Sequence, residues 1–169
     1  MSVRAALFSD IPRIAEVMRD AHLRSRYADC TTFEEIECKS LLMRSIQRHG
    51  HNNYMGSQVL VSETGGIVKG FIIGILDQVY PGLKELRVTD LLFIFENGAD
   101  PRDAREMLLR LIRWGERNPK VVEIMLGITD AIGDWRRVAT MYEQTSFEPC
   151  GGLFRIGFDR CELPKVEGL

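Results

Sequence analysis

The chain has no run of about 18 consecutive apolar residues, so it offers no candidate membrane-spanning helix. It carries little net charge, formally −2 at pH 7. That gives no electrostatic reason to expect nucleic acid or an anionic membrane as a partner. The four cysteines, Cys30, Cys38, Cys150 and Cys161, contain no CxxC pair. Their spacing supports neither a disulfide framework nor a zinc site, and free thiols are expected. The three histidines, His22, His49 and His51, form neither an HxxxH nor an HExxH pattern, so no metal site is expected. The opening MSVRAALFSDIPRIAEV lacks the apolar core of a signal peptide and meets Pro12 and charges early, which predicts a cytoplasmic protein. No internal repeat or low-complexity linker is found.

What remains is ordinary in amount and informative in order. At 169 residues, 45% hydrophobic and 27% charged, the chain is expected to fold as one domain over residues 1–169 with a sizeable core. Residues 3–8 read as a short strand. Ser9 and Asp10 then offer an N-cap, with Pro12 in the first turn, for a helix to about Arg26. A second helix is expected from Thr32, as N-cap with Glu35 three residues on, to about His49. Its buried stripe would hold Phe33, Ile36, Leu41, Leu42 and Ile46. The period then changes. Residues 58–63, 67–80 and 85–96 read as strands joined by Thr64-Gly65-Gly66 and Pro81-Gly82 turns. Gly70 and Gly74 inside the second of these mark a bulge or a close backbone approach. A helix over 101–117, a strand over 121–128, a helix over 134–145 and two short β pieces between 148 and 159 complete the series. The order β-α-α-β-β-β-α-β-α-β-β contains a parallel β-α-β crossover at its centre.

The segment 89–117, TDLLFIFENGADPRDAREMLLRLIRWGER, runs from a strand through a turn into a capped amphipathic helix. Such a junction can hold phosphate, because the first N–H groups of a helix lack partners. The turn itself is poorly suited to this. Asp100 is placed as N-cap, with Pro101 at N1 and Asp103 at N3, and the two acids repel a pyrophosphate while favouring the helix dipole. Arg102 and Arg105 can offset this by binding phosphate oxygens directly, or they can be solvated surface charges.

The element order, together with Ala139–Phe147 (ATMYEQTSF) and Leu108–Glu116 (LLRLIRWGE), resembles the GNAT superfamily of N-acetyltransferases over nearly the whole chain. Thr89–Phe93, Leu126–Thr129 and Phe147–Pro149 are further similar to GNAT-like proteins often encoded by bacteriophages. The resemblance implies an α/β (α+β) domain with a mixed sheet of about six to seven strands flanked by about four helices. It implies acetyl-CoA lying across a central splay of the sheet, with main-chain bonds from Leu92, Phe93, Ile94 and Phe95 to the pantetheine arm. The family's phosphate loop, (Arg/Gln)-x-x-Gly-x-(Gly/Ala), falls on Ala99, Arg102 and Ala104, and only Ala104 conforms; Arg102, Ala104 and Arg105 are the implied contacts. Tyr142 stands at the tyrosine that protonates the leaving thiolate in many members, and its alternative is a packing role beside Met141 and Phe147. Ser146 replaces the usual Gly of this motif, and Trp135 stands where Asn is common. Asp90, or secondarily Glu85, is the candidate general base. The acceptor side would be walled by residues 24–32 and 149–154, where Arg24, Arg26 and Tyr27 either meet an acidic or aromatic acceptor or lie solvated at a helix end, where cations are favoured.

Two functions follow from the resemblance. One is an acetyl-CoA-dependent N-acetyltransferase acting by direct attack of a primary amine of a small molecule or protein, in the cytoplasm, with a homodimer or a protein partner possible. The other is a catalytically inactive protein of the same fold with a structural or binding role, such as a phage virion or host-takeover component, with a protein partner.

Overall fold

The computed structural model describes residues 2–156. Five strands form one sheet in sequence order: β1 (Ser2–Ala5), β2 (Ser57–Thr64), β3 (Ile67–Gln78), β4 (Leu86–Phe95) and β5 (Val121–Met125). The first four pair antiparallel, and β5 runs parallel to β4. The helices are α1 (Ile11–Leu23), α2 (Glu35–Gln47), α3 (Pro101–Glu116) and α4 (Trp135–Glu143). This is the mixed α/β sheet with four helices that the sequence predicts, with fewer strands. The two closing β pieces do not form over residues 148–156, and residues 157–159 lie outside the described residues. Among the described residues, no helix is long and apolar enough to cross a membrane.

The sheet is covered on both faces, which is why its central strands read as nearly continuous apolar runs. One face carries Val59, Val61, Phe71 and Ile73 against Ile14, Ala15 and Val17 of α1 and Leu42 and Ile46 of α2. The other carries Leu60, Ile72, Leu76 and Val88 against Met107, Leu108, Leu111 and Trp114 of α3. Gly74 sits on this second face, where a Cβ would come within 2.2 Å of Leu111 Cδ1. The glycine therefore lets α3 lie close to the sheet, and the close approach read from the sequence is of this kind.

Several local expectations are corrected. Asp10 does not cap α1. Its carboxylate instead accepts from the Leu7 N–H at 2.8 Å and pairs with Arg4, and the Arg4 guanidinium holds it below the usual carboxylate range. The second helix begins at Glu35 rather than near Thr32 and buries Cys38, Leu42, Ser45 and Ile46. That i, i+4, i+7, i+8 stripe leaves Ile36 out, at 82% exposure. Cys38 and Cys150 are free thiols, but Cys30 is disulfide-bonded. Cys161 lies outside the described residues.

Candidate active site

Strands β4 and β5 are paired only from Leu86↔Val121 to Thr89↔Met125. Beyond Thr89, β4 continues to Phe95 with β3 alone as its partner. The parallel pair therefore splays at Asp90, and the main-chain groups of residues 91–95 on the side away from β3 have no strand partner among the described residues. The β3 register shows why the strand changes here. Leu92 lies opposite Ile73 and Asp90 opposite Gly74, so Leu91 is an extra residue, a β-bulge. Leu86 and Val88 face α3, as do Phe93 and Phe95, while Leu92 and Ile94 face α1 and α2. The alternation has slipped by one residue across the bulge. Leu91 itself is left 44% exposed at the splay.

Asp90 shares the α3-side alternation of Leu86 and Val88, and it lies on the cleft formed by the splay. Its Oδ1 accepts from the Gly127 N–H at 2.9 Å, which ties the carboxylate to the chain leaving β5. Burial pushes the Asp90 carboxyl above its usual range, against the hydrogen bonds from the Gly127 and its own N–H. Glu85 is instead exposed in the β3–β4 turn, at the opposite end of β4. Of the two candidate bases, only Asp90 sits at the splay.

Tyr142 comes to the same place from α4. It is buried at 7% exposure, with its ring 5.4 Å from that of Phe147. Its hydroxyl is buried and has no hydrogen-bond partner among the described residues. Burial pushes the phenol well above its usual pKa, and the charge of Asp90 adds to the effect. A phenol and a carboxylate that are far apart in sequence thus act on each other across the cleft. A buried hydroxyl without a partner costs about 1–3 kcal/mol, so packing alone is an incomplete account of Tyr142.

The turn after α4 accounts for one departure from the family motif. Ser146 is in the left-handed region at φ 68°, the conformation glycine adopts without penalty. The position thus has the geometry of the motif without its residue. Replacing it, Ser146→Gly, is expected to stabilise the fold. The left-handed strain relieved is about 1–2 kcal/mol, partly offset by glycine's extra freedom when unfolded, about 0.4–1 kcal/mol. Thermal melting measures this, and an unchanged or lower Tm would contradict it.

The other end of β4 leads to the helix junction. Asp100 caps α3 as expected: its Oδ1 accepts from the Arg102 N–H at 2.8 Å. The same carboxylate also holds the Arg102 side chain through Nε at 3.1 Å and Nη2 at 2.8 Å. Arg102 thus folds back onto the cap. Asp103 is buried and accepts from Ser62 Oγ at 2.5 Å, pinning the first turn of α3 to β2. Ala104 is buried at 8% exposure, whereas Arg105 is exposed and has no ion pair among the described residues. Gly98, at φ 82°, makes the turn before the cap. A cavity of about 510 Å³, lined by Asp20, Leu23, Arg24, Glu96 and Asn97, opens beside this end of β4.

The wall of the cleft is built by loops that cross-link. Arg26 is largely buried and pairs with Asp130, and its N–H donates to the Ala131 carbonyl at 3.0 Å. Its guanidinium also lies 4.9 Å from the centre of the Tyr27 ring. Arg155 reaches the same Asp130 at 3.3 Å. Arg24 donates to the Phe95 carbonyl at 3.4 Å and to Asn97 Oδ1 at 3.3 Å. Arg26 is therefore engaged by the protein, whereas Arg24 stays exposed at the end of α1. The sequence reading places Leu91 at the start of the segment offered to the pantetheine arm, on one face with Phe93 and Phe95, whereas it is the bulge residue and is exposed. The same reading gives Gly127 no part in the site, because its bond to Asp90 depends on the fold of the 126–133 loop.

Solved structures share this fold over most of their length and most of this chain. A ribosomal-protein-alanine N-acetyltransferase from Brucella melitensis superimposes at TM-score 0.69 with 22% identity, covering 96% of this chain and 94% of its own. A predicted acetyltransferase with acetyl-CoA from Clostridium acetobutylicum gives 0.67 with 11% identity, covering 92% and 95%. A transcriptional regulator from Bacillus halodurans gives 0.68 with 14% identity, covering 93% and 99%. Neither a protein-family model nor a curated protein sequence matches the chain. The chain shares the fold of these structures, and one fold can carry different functions.

Proposed function

We propose that this protein is an acyltransferase that moves an acetyl group from acetyl-CoA to a primary amine by direct attack. The observation that carries the reading is the meeting of Asp90 and Tyr142 where β4 parts from β5. A bound acetyl-CoA supplies an activated thioester. Between Leu92 and Phe95, the main-chain groups that turn away from β3 suit an extended amide-containing arm, in the manner of an added strand, although the Phe95 carbonyl already accepts from Arg24. Asp90, with its pKa raised, takes the proton of the attacking amine, directly or through water. Tyr142, kept neutral by burial, donates its proton to the departing sulfur. The orphaned Tyr142 hydroxyl fits a donor whose acceptor arrives with the substrate.

The two residues suit one another in sequence. While Asp90 is charged, it holds the Tyr142 proton in place. Once Asp90 has accepted the amine proton, that repulsion is gone and the phenol becomes a stronger acid. The proton leaving the amine therefore favours the proton reaching the sulfur.

The second reading, a protein of this fold without catalysis, is favoured by the junction at α3. Asp100 occupies the N–H of Arg102 and holds its guanidinium. A pyrophosphate there must displace or share with a carboxylate, so Arg102, Ala104 and Arg105 are the weaker part of the proposal. Titration with acetyl-CoA by calorimetry separates the two readings. Saturable binding below millimolar concentration is expected, and no binding at millimolar cofactor would remove the enzyme reading.

A further inference from the structure

Far from the cleft, α3 presents a face that the acyltransferase reading does not use. Arg110, Arg113, Trp114 and Arg117 fall at i, i+3, i+4 and i+7, one side of the helix. It flanks the apolar stripe Met107, Leu108, Leu111 and Trp114 that packs on the sheet. Here it borders a cavity of about 300 Å³, closed by His49 and by Ala5, Gln58 and Leu60 of the β1–β2 edge. Arg113 lies thirteen residues beyond the cap Asp100, or about 20 Å along the helix axis.

The cavity is lined with donors. Three arginines line it, and two of them share a carboxylate outside the lining, Glu106. It accepts from Arg110 Nε at 2.8 Å and from Arg113 Nη2 at 3.2 Å, through the same oxygen. Arg117 has no ion pair among the described residues. His49 accepts the Val59 N–H on Nδ1 at 3.0 Å, so its neutral ring carries the proton on Nε2. Burial holds the imidazole in that neutral form, against the Val59 hydrogen bond. The Trp114 indole N–H, on a side chain 5% exposed, is buried without a hydrogen-bond partner among the described residues. Indole nitrogen can only donate, and the same side chain forms part of the cavity wall.

We infer that this cavity is an oxyanion site, separate from the acyl-CoA cleft, that takes a phosphate-class group through Arg113, Arg117 and the His49 Nε2–H, with Trp114 in its wall. The chemistry is the same for free phosphate and for the phosphoryl end of a larger molecule. An anion there offsets the excess positive charge, with guanidinium forks matched to its oxygens, and changes the surroundings of the Trp114 ring.

The chain has two tryptophans, so a nitrogen–proton spectrum contains two indole signals. Trp135→Phe, at a partly exposed position outside the cavity, assigns the Trp114 signal. Inorganic phosphate and glycerol 3-phosphate are titrated separately at constant ionic strength. Saturable movement of the Trp114 signal with either is expected, and the tighter ligand distinguishes free phosphate from a phosphate ester. The double replacement Arg113→Gln, Arg117→Gln should weaken binding at least tenfold while leaving acetyl-CoA binding unchanged. No saturation with either probe, equal movement in matched sodium chloride, or full affinity in the double variant would each overturn the assignment. Failure here leaves the acyltransferase reading standing, because the two titrations report on different sites.

Discussion

Tyr142→Phe is expected to lower turnover with acetyl-CoA by about 10²–10⁴-fold, the usual contribution of a positioned general acid. Cofactor affinity should change little, since the lost hydroxyl meets the sulfur only as it leaves. The same replacement should not destabilise the protein. The Tyr142 ring packs against Phe147, and phenylalanine keeps that contact. The hydroxyl it removes is buried and unpartnered, so Tm should hold or rise. A packing residue and a catalytic one therefore give different pairs of results. Steady-state kinetics and thermal melting on one variant decide between them, and full turnover with an unchanged Tm would end the acid role.

Asp90→Asn is expected to have an effect of similar size, about 10²–10⁴-fold on kcat/KM. Asparagine can still accept the Gly127 N–H through its side-chain oxygen, so the 126–133 loop keeps its anchor. What is lost is the ability to take a proton. In the unaltered protein, the acid limb of kcat/KM against pH should fall above the ordinary aspartate value of about 3.9, because burial raises the Asp90 pKa. A raised folded pKa means that the group favours the fold at low pH. That contribution is lost as pH rises through the folded pKa, where the buried carboxylate must ionise. At neutral pH the wild-type charge is therefore a burden on stability, and Asp90→Asn should melt at a higher temperature than the parent. Loss of activity together with a gain in Tm is the signature of a group held for chemistry. A pH profile that keeps its acid limb in the variant would assign the base elsewhere.

Much of this architecture is legible in the residues because the local signals agree. Asp100, Pro101 and Asp103 mark the start of α3, and the helix runs over Pro101–Glu116 against the expected 101–117. The antiparallel meander and the parallel return of β5 follow from turn chemistry and changes of period. The failures have physical causes. Asp10 looks like a cap, but Arg4, distant in conformation and close in sequence, recruits its carboxylate. Ile36 looks like core because it is apolar, yet it lies off the stripe set by Cys38, Leu42 and Ser45. At the candidate site, Tyr142 and Asp90 can be chosen from sequence, but their mutual influence is tertiary. The basic stripe of α3 is visible as a string of arginines, whereas the buried indole beside it is not.

The bulge at Leu91 has a consequence for how this chain can vary. Strand β4 is in effect two reading frames joined by one residue. Before the joint, even-numbered positions answer to α3; after it, odd-numbered ones do. Both frames meet β3 in one unbroken order, so removing the joint would leave Asp90 opposite Gly74 and Leu92 opposite Ile73 as neighbouring pairs. Phe93 and Phe95 would still face α3, and Leu92 and Ile94 the α1 and α2 layer. A residue lost nearby in the strand must either be absorbed at this joint or exchange the contents of two cores. Leu91 is thus the strand's one residue of slack, and its loss would alter the local bend and twist rather than the facing of the side chains.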